Sequence, residues 1–174
     1  ELGATYRHAR GKTVKESDAV TICNLVLNTA EGHFNDHKMA SLPIGQSVVF
    51  GGVTISMIIG LASQDTAGNA IRELGMNNIK LLSPVKHGDT LYAFSKVLEK
   101  ELTEEGGMIT FTHYGINQNQ TLVFQGNNIG TVILFGQVDQ ELDNSELQFI
   151  NTITNNLASS LGKIKIIRDL EKSK

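Results

Sequence analysis

Residues 28–60 read NTAEGHFNDHKMASLPIGQSVVFGGVTISMIIG. A polar loop carrying His33 leads through Gly45 to the pair Gly51-Gly52, and an apolar, helix-like run from Val53 to Ala62 follows at once. A buried helix that begins at two glycines leaves its first N–H groups without intrahelical partners and presents the positive end of its dipole. The same stretch supplies a titratable imidazole that can fold back over that end. It reads as a candidate active site, with the remainder of the chain as its scaffold.

Upstream, residues 1–16 are polar and basic and read as an irregular lead-in with a short extended piece. Ser17 then suits an N-cap with Asp18 in the first turn. Ala19, Val20, Ile22, Cys23, Val26 and Leu27 give the following helix a wide apolar face, ending near Asn28. Downstream of a helix over 53–65 the pattern changes to short segments rich in β-branched and aromatic residues: 70–76, 78–85, 90–100, 108–117, 121–125 and 130–138. Turn chemistry separates them at Gly75-Met76-Asn77-Asn78, Lys86-His87-Gly88-Asp89, Glu105-Gly106-Gly107 and Gln118-Asn119-Gln120. Sequential strands joined by short turns argue for an antiparallel sheet, and one long helix placed ahead of them must lie across its apolar face. The expected class is therefore α+β, a sheet wrapped around a single helix. Residues 139–174 read as an extension: a helix capped at Asn144-Ser145 with Leu147, Ile150, Leu157 and Leu161 on one stripe, then a short apolar piece at 164–167.

The chain has 174 residues, enough for one domain with an extension. Hydrophobic content of 40% with 19% charged residues is ordinary for a globular protein, and a net charge of −3 gives no basic footprint for nucleic acid. The single cysteine, Cys23, excludes a disulfide within the chain and fits a reducing, cytoplasmic setting. No apolar run approaches the length of a membrane span. The chain begins at Glu1 rather than at a methionine, which leaves room for a segment ahead of it.

His33 is the leading candidate for chemistry, because histidine titrates near neutral pH and is the commonest general base, although a loop histidine is most often merely solvated. His37 reads as an exposed side chain. The His33–His37 spacing matches a helical metal pair, but Gly32 argues against a helix and a third ligand is missing, so no metal is expected. Gly51-Gly52 reads either as a close-packing device or as an oxyanion hole, in which backbone N–H groups hold charge developing on a carbonyl oxygen. The GxGxxG spacing of a dinucleotide site is missing. His87-Gly88-Asp89-Thr90, following Ser83-Pro84-Val85, reads first as a tight turn, with ligand contact at its surface. His113 alternates with Phe111 and Ile109 and reads as a packed or hydrogen-bonded strand position.

Three segments, NTAEGHFND, then IGQSVVFGGVTISMIIGLASQDT, then LGMNNIKLLSPVKHGDTL, resemble in order and spacing the MaoC-like hydratase/dehydratase family of hotdog-fold proteins, most closely its single-domain mesaconyl-CoA-hydratase-like members. The resemblance covers residues 11–135. It implies a hotdog fold over residues 1–138, a homodimer, and a thioester of coenzyme A or acyl carrier protein as substrate with no further cofactor. The implied chemistry is reversible, (R)-specific hydration of a 2-enoyl thioester to a 3-hydroxyacyl thioester. The family motif D-x-N-P-x-H places His33 at its histidine, but Asn28 stands at the aspartate position, and Ala30 and Glu31 stand at N-P. Asn35 replaces a frequent aspartate two residues after the histidine, and the glycine that opens the family's central helix falls on Gly51. An Asn cannot exchange a proton in this range, but it can orient a water or an imidazole. The resemblance thus implies His33 for proton transfer, Asn28 to position water, Glu31 as a substitute acid, Gly51 with Gly52 for the thioester carbonyl, and Asn35, Phe50 and His87 as substrate contacts. The competing readings are an acyl-thioester hydrolase, using Glu31 or Asp65 to activate water, and a non-catalytic thioester-binding module.

Overall fold

The computed structural model describes residues 1–68, 70–103 and 106–133. The expected boundary at residue 138 and the helical extension 139–174 lie outside them. In chain order the elements are β1 (Thr5–Thr13), α1 (Glu16–Leu25), a 3-10 turn (Glu31–His33), α2 (Asp36–Ala40), α3 (Gly51–Thr66), β2 (Arg72–Leu81), β3 (Thr90–Thr103), β4 (Gly106–Asn117) and β5 (Leu122–Ile133). The strands form one sheet in the order β1-β3-β4-β5-β2, and every neighbouring pair is antiparallel. The long helix α3 packs against β1, β3, β4 and β5, so the expected sheet around one helix is what forms.

Close contact between α3 and the sheet depends on Gly115 of β4. A Cβ there would lie 2.6 Å from the Ile58 side chain and 3.2 Å from Phe124 Cβ, so only glycine lets Ile58 seat fully. Val53, Ile58 and Ala62 from α3, Leu91 and Ala93 from β3, and Val123 and Phe124 from β5 are buried together with Val14 and Val85. Each such side chain contributes roughly 1.5–3 kcal/mol when removed from water.

Several elements differ from the sequence reading. The lead-in is an edge strand: β1 pairs with β3 at residues 5–7 and 11–13, on either side of a register shift, and of its nine residues only His8 is buried, so no alternation of apolar residues marks it. The helix α1 starts at Glu16, with Lys15 as N-cap and the Asp18 carboxylate accepting the Lys15 N–H at 3.4 Å. Of its expected apolar face Ala19 and Cys23 are buried, Val20 is partly buried and Ile22 packs partly buried against the core, while Leu25, Val26 and Leu27 are 76%, 54% and 83% exposed. The helix stops because Leu27 turns left-handed (φ 53) and the amides of Leu27 and Asn28 close on the Asn24 and Cys23 carbonyls. The two segments 70–76 and 78–85 are one strand, β2, and the Asn77-Asn78 turn signal marks a bulge inside it, with Asn78 at φ 52. Likewise 121–125 and the segment from 130 onward join into β5, because Gly126 and Asn127 pair with His113 and Thr112 of β4. The Lys86–Asp89 turn forms as read: Gly88 takes φ 92 and the Asp89 carboxylate accepts the Lys86 N–H at 2.9 Å.

No helix among the described residues is long and apolar enough to cross a membrane.

Candidate active site

The loop from Asn28 to Phe50 is built to hold one imidazole. Asn28 Oδ1 accepts the Ala30 N–H at 2.9 Å, a local turn that opens the 3-10 turn carrying His33. Asn35 caps α2: its Oδ1 accepts the Lys38 N–H at 3.0 Å, and its Nδ2 donates to Glu31 Oε1 at 3.0 Å. Glu31 also pairs with the Lys38 ammonium on the surface. The hydrogen bond from Lys38, followed by that from Asn35, holds the Glu31 carboxyl below the usual carboxylate range. Ser47, fully buried, donates to Asp36 Oδ1 at 2.5 Å and ties the far end of the loop to α2.

His33 itself is half-buried, and its Nδ1 lies 2.9 Å from the Val48 carbonyl oxygen. A carbonyl can only accept, so Nδ1 carries the proton and Nε2 of the neutral ring is left as a base. Val48 is fixed in turn. Its N–H donates to Gly32 O at 2.9 Å, it bridges to Lys86, and the neighbouring Val49 N–H donates to Val85 O at 2.8 Å. The Phe50 ring lies against the imidazole at 5.6 Å between centroids, tilted by 58°.

Phe50 is also the residue before α3, and its side chain offers no acceptor to cap the helix. The Gly51 and Gly52 N–H groups therefore have no acceptor among the described residues. A Cβ on Gly51 would fall 2.2 Å from Leu81 Cδ1, so the half-exposed Leu81 side chain would have to turn away to admit one. His33, Gly51 and Thr54 line one cleft of about 260 Å³, walled by Val48, Val49 and residues 81–85. The structure thus brings together the two groups that the sequence singled out, an imidazole and an uncapped helix start.

The other expected site residues are placed differently. Asn28, Glu31, Asn35, Phe50, Gly52 and His87 do not line the cleft. Asn28 and Asn35 spend their side-chain oxygens on the loop backbone, and Glu31 sits in its surface ion pair. His87 lies in the turn beyond Lys86, with a buried Nδ1 that has no hydrogen-bond partner among the described residues. Asp65, one of the carboxylates offered for hydrolysis, is fourteen residues along α3 from Gly51, about 21 Å by helix rise. Thr54, Ser83 and the 81–85 wall were not singled out from the sequence. A threonine inside an apolar helix and a serine before a proline carry no local mark of function. A larger groove of about 770 Å³ lies between β1, α1 and the flank of α3, but none of the expected site residues lines it. The smaller cleft is the one that holds His33 and Gly51, and is therefore the candidate site.

A family model described as mesaconyl-CoA hydratase matches residues 1–133. The chain belongs to the mesaconyl-CoA hydratase family. This family member is 35% identical over 130 residues to a mesaconyl-CoA hydratase of Haloarcula marismortui, covering 73% of this chain and 36% of that protein. It is 34% identical over 100 residues to a beta-methylmalyl-CoA dehydratase of Chloroflexus aurantiacus, covering 58% of this chain and 28% of that protein. The chain thus spans about a third of the length of the curated relatives it matches. Among solved structures, an (R)-hydratase from A. caviae superposes with a TM-score of 0.62 at 22% identity, covering 76% of this chain and 96% of that one. A MaoC-like dehydratase from Rhodospirillum rubrum superposes at 0.67 with 15% identity, covering 78% and 94%. At these identities the likeness establishes the hotdog fold.

Proposed function

We propose that this chain catalyses the reversible hydration of a 2-enoyl-CoA to the (R)-3-hydroxyacyl-CoA. The observation that carries the reading is the shared cleft, in which a histidine of fixed tautomer lies with the uncapped start of a sixteen-residue helix. In the hydration direction the water oxygen bonds to C3 as one of its protons passes to His33 Nε2. The π electrons move toward the thioester, and the charge that collects on its oxygen is held by the Gly51 N–H and the helix dipole. His33 then returns the proton to C2, so that one water is consumed and the base is restored. Preorganised amides of this kind are worth several kcal/mol, and a positioned base typically contributes 10²–10⁴-fold. The scheme uses no cofactor beyond the thioester.

The names of the relatives support a CoA thioester with a short acyl group, and mesaconyl-CoA stands first among substrates to try. The R configuration is carried over from the family resemblance. Asn28 acts as a positioning residue in this reading: it shapes the turn that presents His33. A homodimer completes the proposal, because β2 pairs only with β5 among the described residues and carries the exposed side chains of Leu74 and Ile79 along its length.

Incubation with crotonyl-, tiglyl- and mesaconyl-CoA tests the reading. Loss of enoyl absorbance without thiol release, and its collapse by at least 10²-fold in His33→Ala, is the expected result. Release of free thiol in place of hydration identifies a hydrolase, and binding without either reaction identifies a module; each overturns the reading.

A further inference from the structure

Four hydroxyl side chains on α3 enter hydrogen-bond accounting, and one of them behaves differently. Ser56 donates to Gly52 O at 2.8 Å, Ser63 to Gly60 O at 2.9 Å and Thr66 to Ala62 O at 3.0 Å, each closing on its own helix. Such back-bonding is the ordinary fate of a helical hydroxyl. For Thr54 the matching acceptor would be Phe50 O, but that carbonyl already receives the Val53 and Thr54 N–H groups at 2.9 and 3.3 Å. The Thr54 hydroxyl therefore has no partner among the described residues, although the residue is only 2% exposed. It lines the cleft with His33 and Gly51, one turn below the free amides. Its oxygen is not among the fully buried unpartnered atoms of the described residues, which are His87 Nδ1 and Asn128 Oδ1, so it keeps a small exposed surface where the residue lines the cleft and can bond a molecule held there.

We propose that the Thr54 hydroxyl is the second anchor of the reacting water, accepting one of its hydrogens while His33 Nε2 accepts the other. This rests on the hydratase reading above. A water held at both hydrogens turns a lone pair toward C3 of the enoyl group, and His33 takes the proton as the bond forms. In the reverse direction the same hydroxyl holds the departing water. Ser83 also lines the cleft, but it sits on the 81–85 wall and is less buried, whereas Thr54 is fixed by the helix. The hydroxyl replaces Asn28 in the role of holding water, since the Asn28 oxygen is occupied at the Ala30 N–H.

The test compares the unaltered chain with Thr54→Val, Thr54→Ser and His33→Ala, using whichever of crotonyl-, tiglyl- and mesaconyl-CoA is hydrated fastest. Valine keeps the shape and removes the hydroxyl. The expected result is a fall in kcat of at least tenfold, on the order of 10²-fold, with KM within about twofold. Thr54→Ser should recover most of the rate, and Thr54→Val should melt at the same temperature or higher. A kcat for Thr54→Val within about twofold of the unaltered chain overturns the proposal, and so does an equal loss in Thr54→Ser or a lowered Tm. If His33→Ala is dead in that case, the hydratase reading stands and only the role of Thr54 falls. If the unaltered chain hydrates none of the three thioesters, both fall together.

Discussion

At the scale of single residues, the chemistry rests on which proton each group can hold. His33 donates through Nδ1 to Val48 O, so its basic nitrogen is chosen by a backbone carbonyl rather than by a carboxylate. In the proposed scheme His33 both takes and returns the proton, so no acid is asked of position 28, where the Asn28 oxygen accepts the Ala30 N–H. Glu31 was the remaining candidate acid. Its carboxyl is depressed by the Lys38 and Asn35 hydrogen bonds, and it is exposed, so it stays ionised near neutral pH and has no proton to give. Glu31→Gln should therefore keep kcat within about threefold, because a surface ion pair contributes little to the fold. A tenfold or greater loss of kcat at unchanged KM would restore Glu31 to the mechanism.

At the scale of elements, a polar layer, buried except at Asp65, joins the far end of α3 to the sheet. Asp65 of α3 accepts from His8 Nδ1 of β1 at 2.6 Å, His8 Nε2 lies 2.7 Å from Ser95 Oγ of β3, and Ser95 Oγ lies 2.7 Å from His113 Nδ1 of β4. Burial, reinforced by neighbouring His8, pulls the His113 imidazole down to about 4. The folded protein thus refuses a proton that the unfolded chain accepts at an ordinary histidine value of 6.5. Stability from this group is complete above about pH 6.5 and is lost as pH falls toward 4, by roughly 3 kcal/mol. Urea midpoints measured from pH 7 to 4 should fall across that window, and His113→Gln should flatten the fall. An equally steep profile in the variant would assign the acid sensitivity elsewhere. The layer lies at the opposite end of α3 from the cleft, so its titration should leave KM for the thioester unchanged.

At the scale of the whole molecule, the open edge of the sheet matters. β2 runs from Arg72 to Leu81, where it leads directly into the cleft wall at 81–85, so a copy paired along this edge would stand beside the site. Size-exclusion chromatography with light scattering should give twice the chain mass. Leu74→Lys combined with Ile79→Lys should give the single-chain mass, since charge on an edge strand blocks pairing. A monomeric mass for the unaltered chain would remove the homodimer from the proposal.

The residues whose placement depends on near neighbours were legible from the sequence. The helix after Gly51-Gly52, the strands around the Lys86–Asp89 turn, and the loop carrying His33 all follow from periodicity and turn preferences, which act over a few residues. The family resemblance added the hotdog arrangement and the pairing of His33 with Gly51. What only the tertiary structure decided depends on register between distant segments. β1 carries no apolar alternation and is a strand because β3, some ninety residues on, offers its edge. The turn signal at Asn77-Asn78 became a bulge because β5 pairs through it. Thr54 is a proposed site residue because the Val53 amide and its own amide share the Phe50 carbonyl, and because it lines a cleft whose other wall is formed by residues 81–85. Local chemistry determines what each segment can form, whereas long-range packing determines which polar groups come to share a cleft, as His33, Gly51 and Thr54 do here.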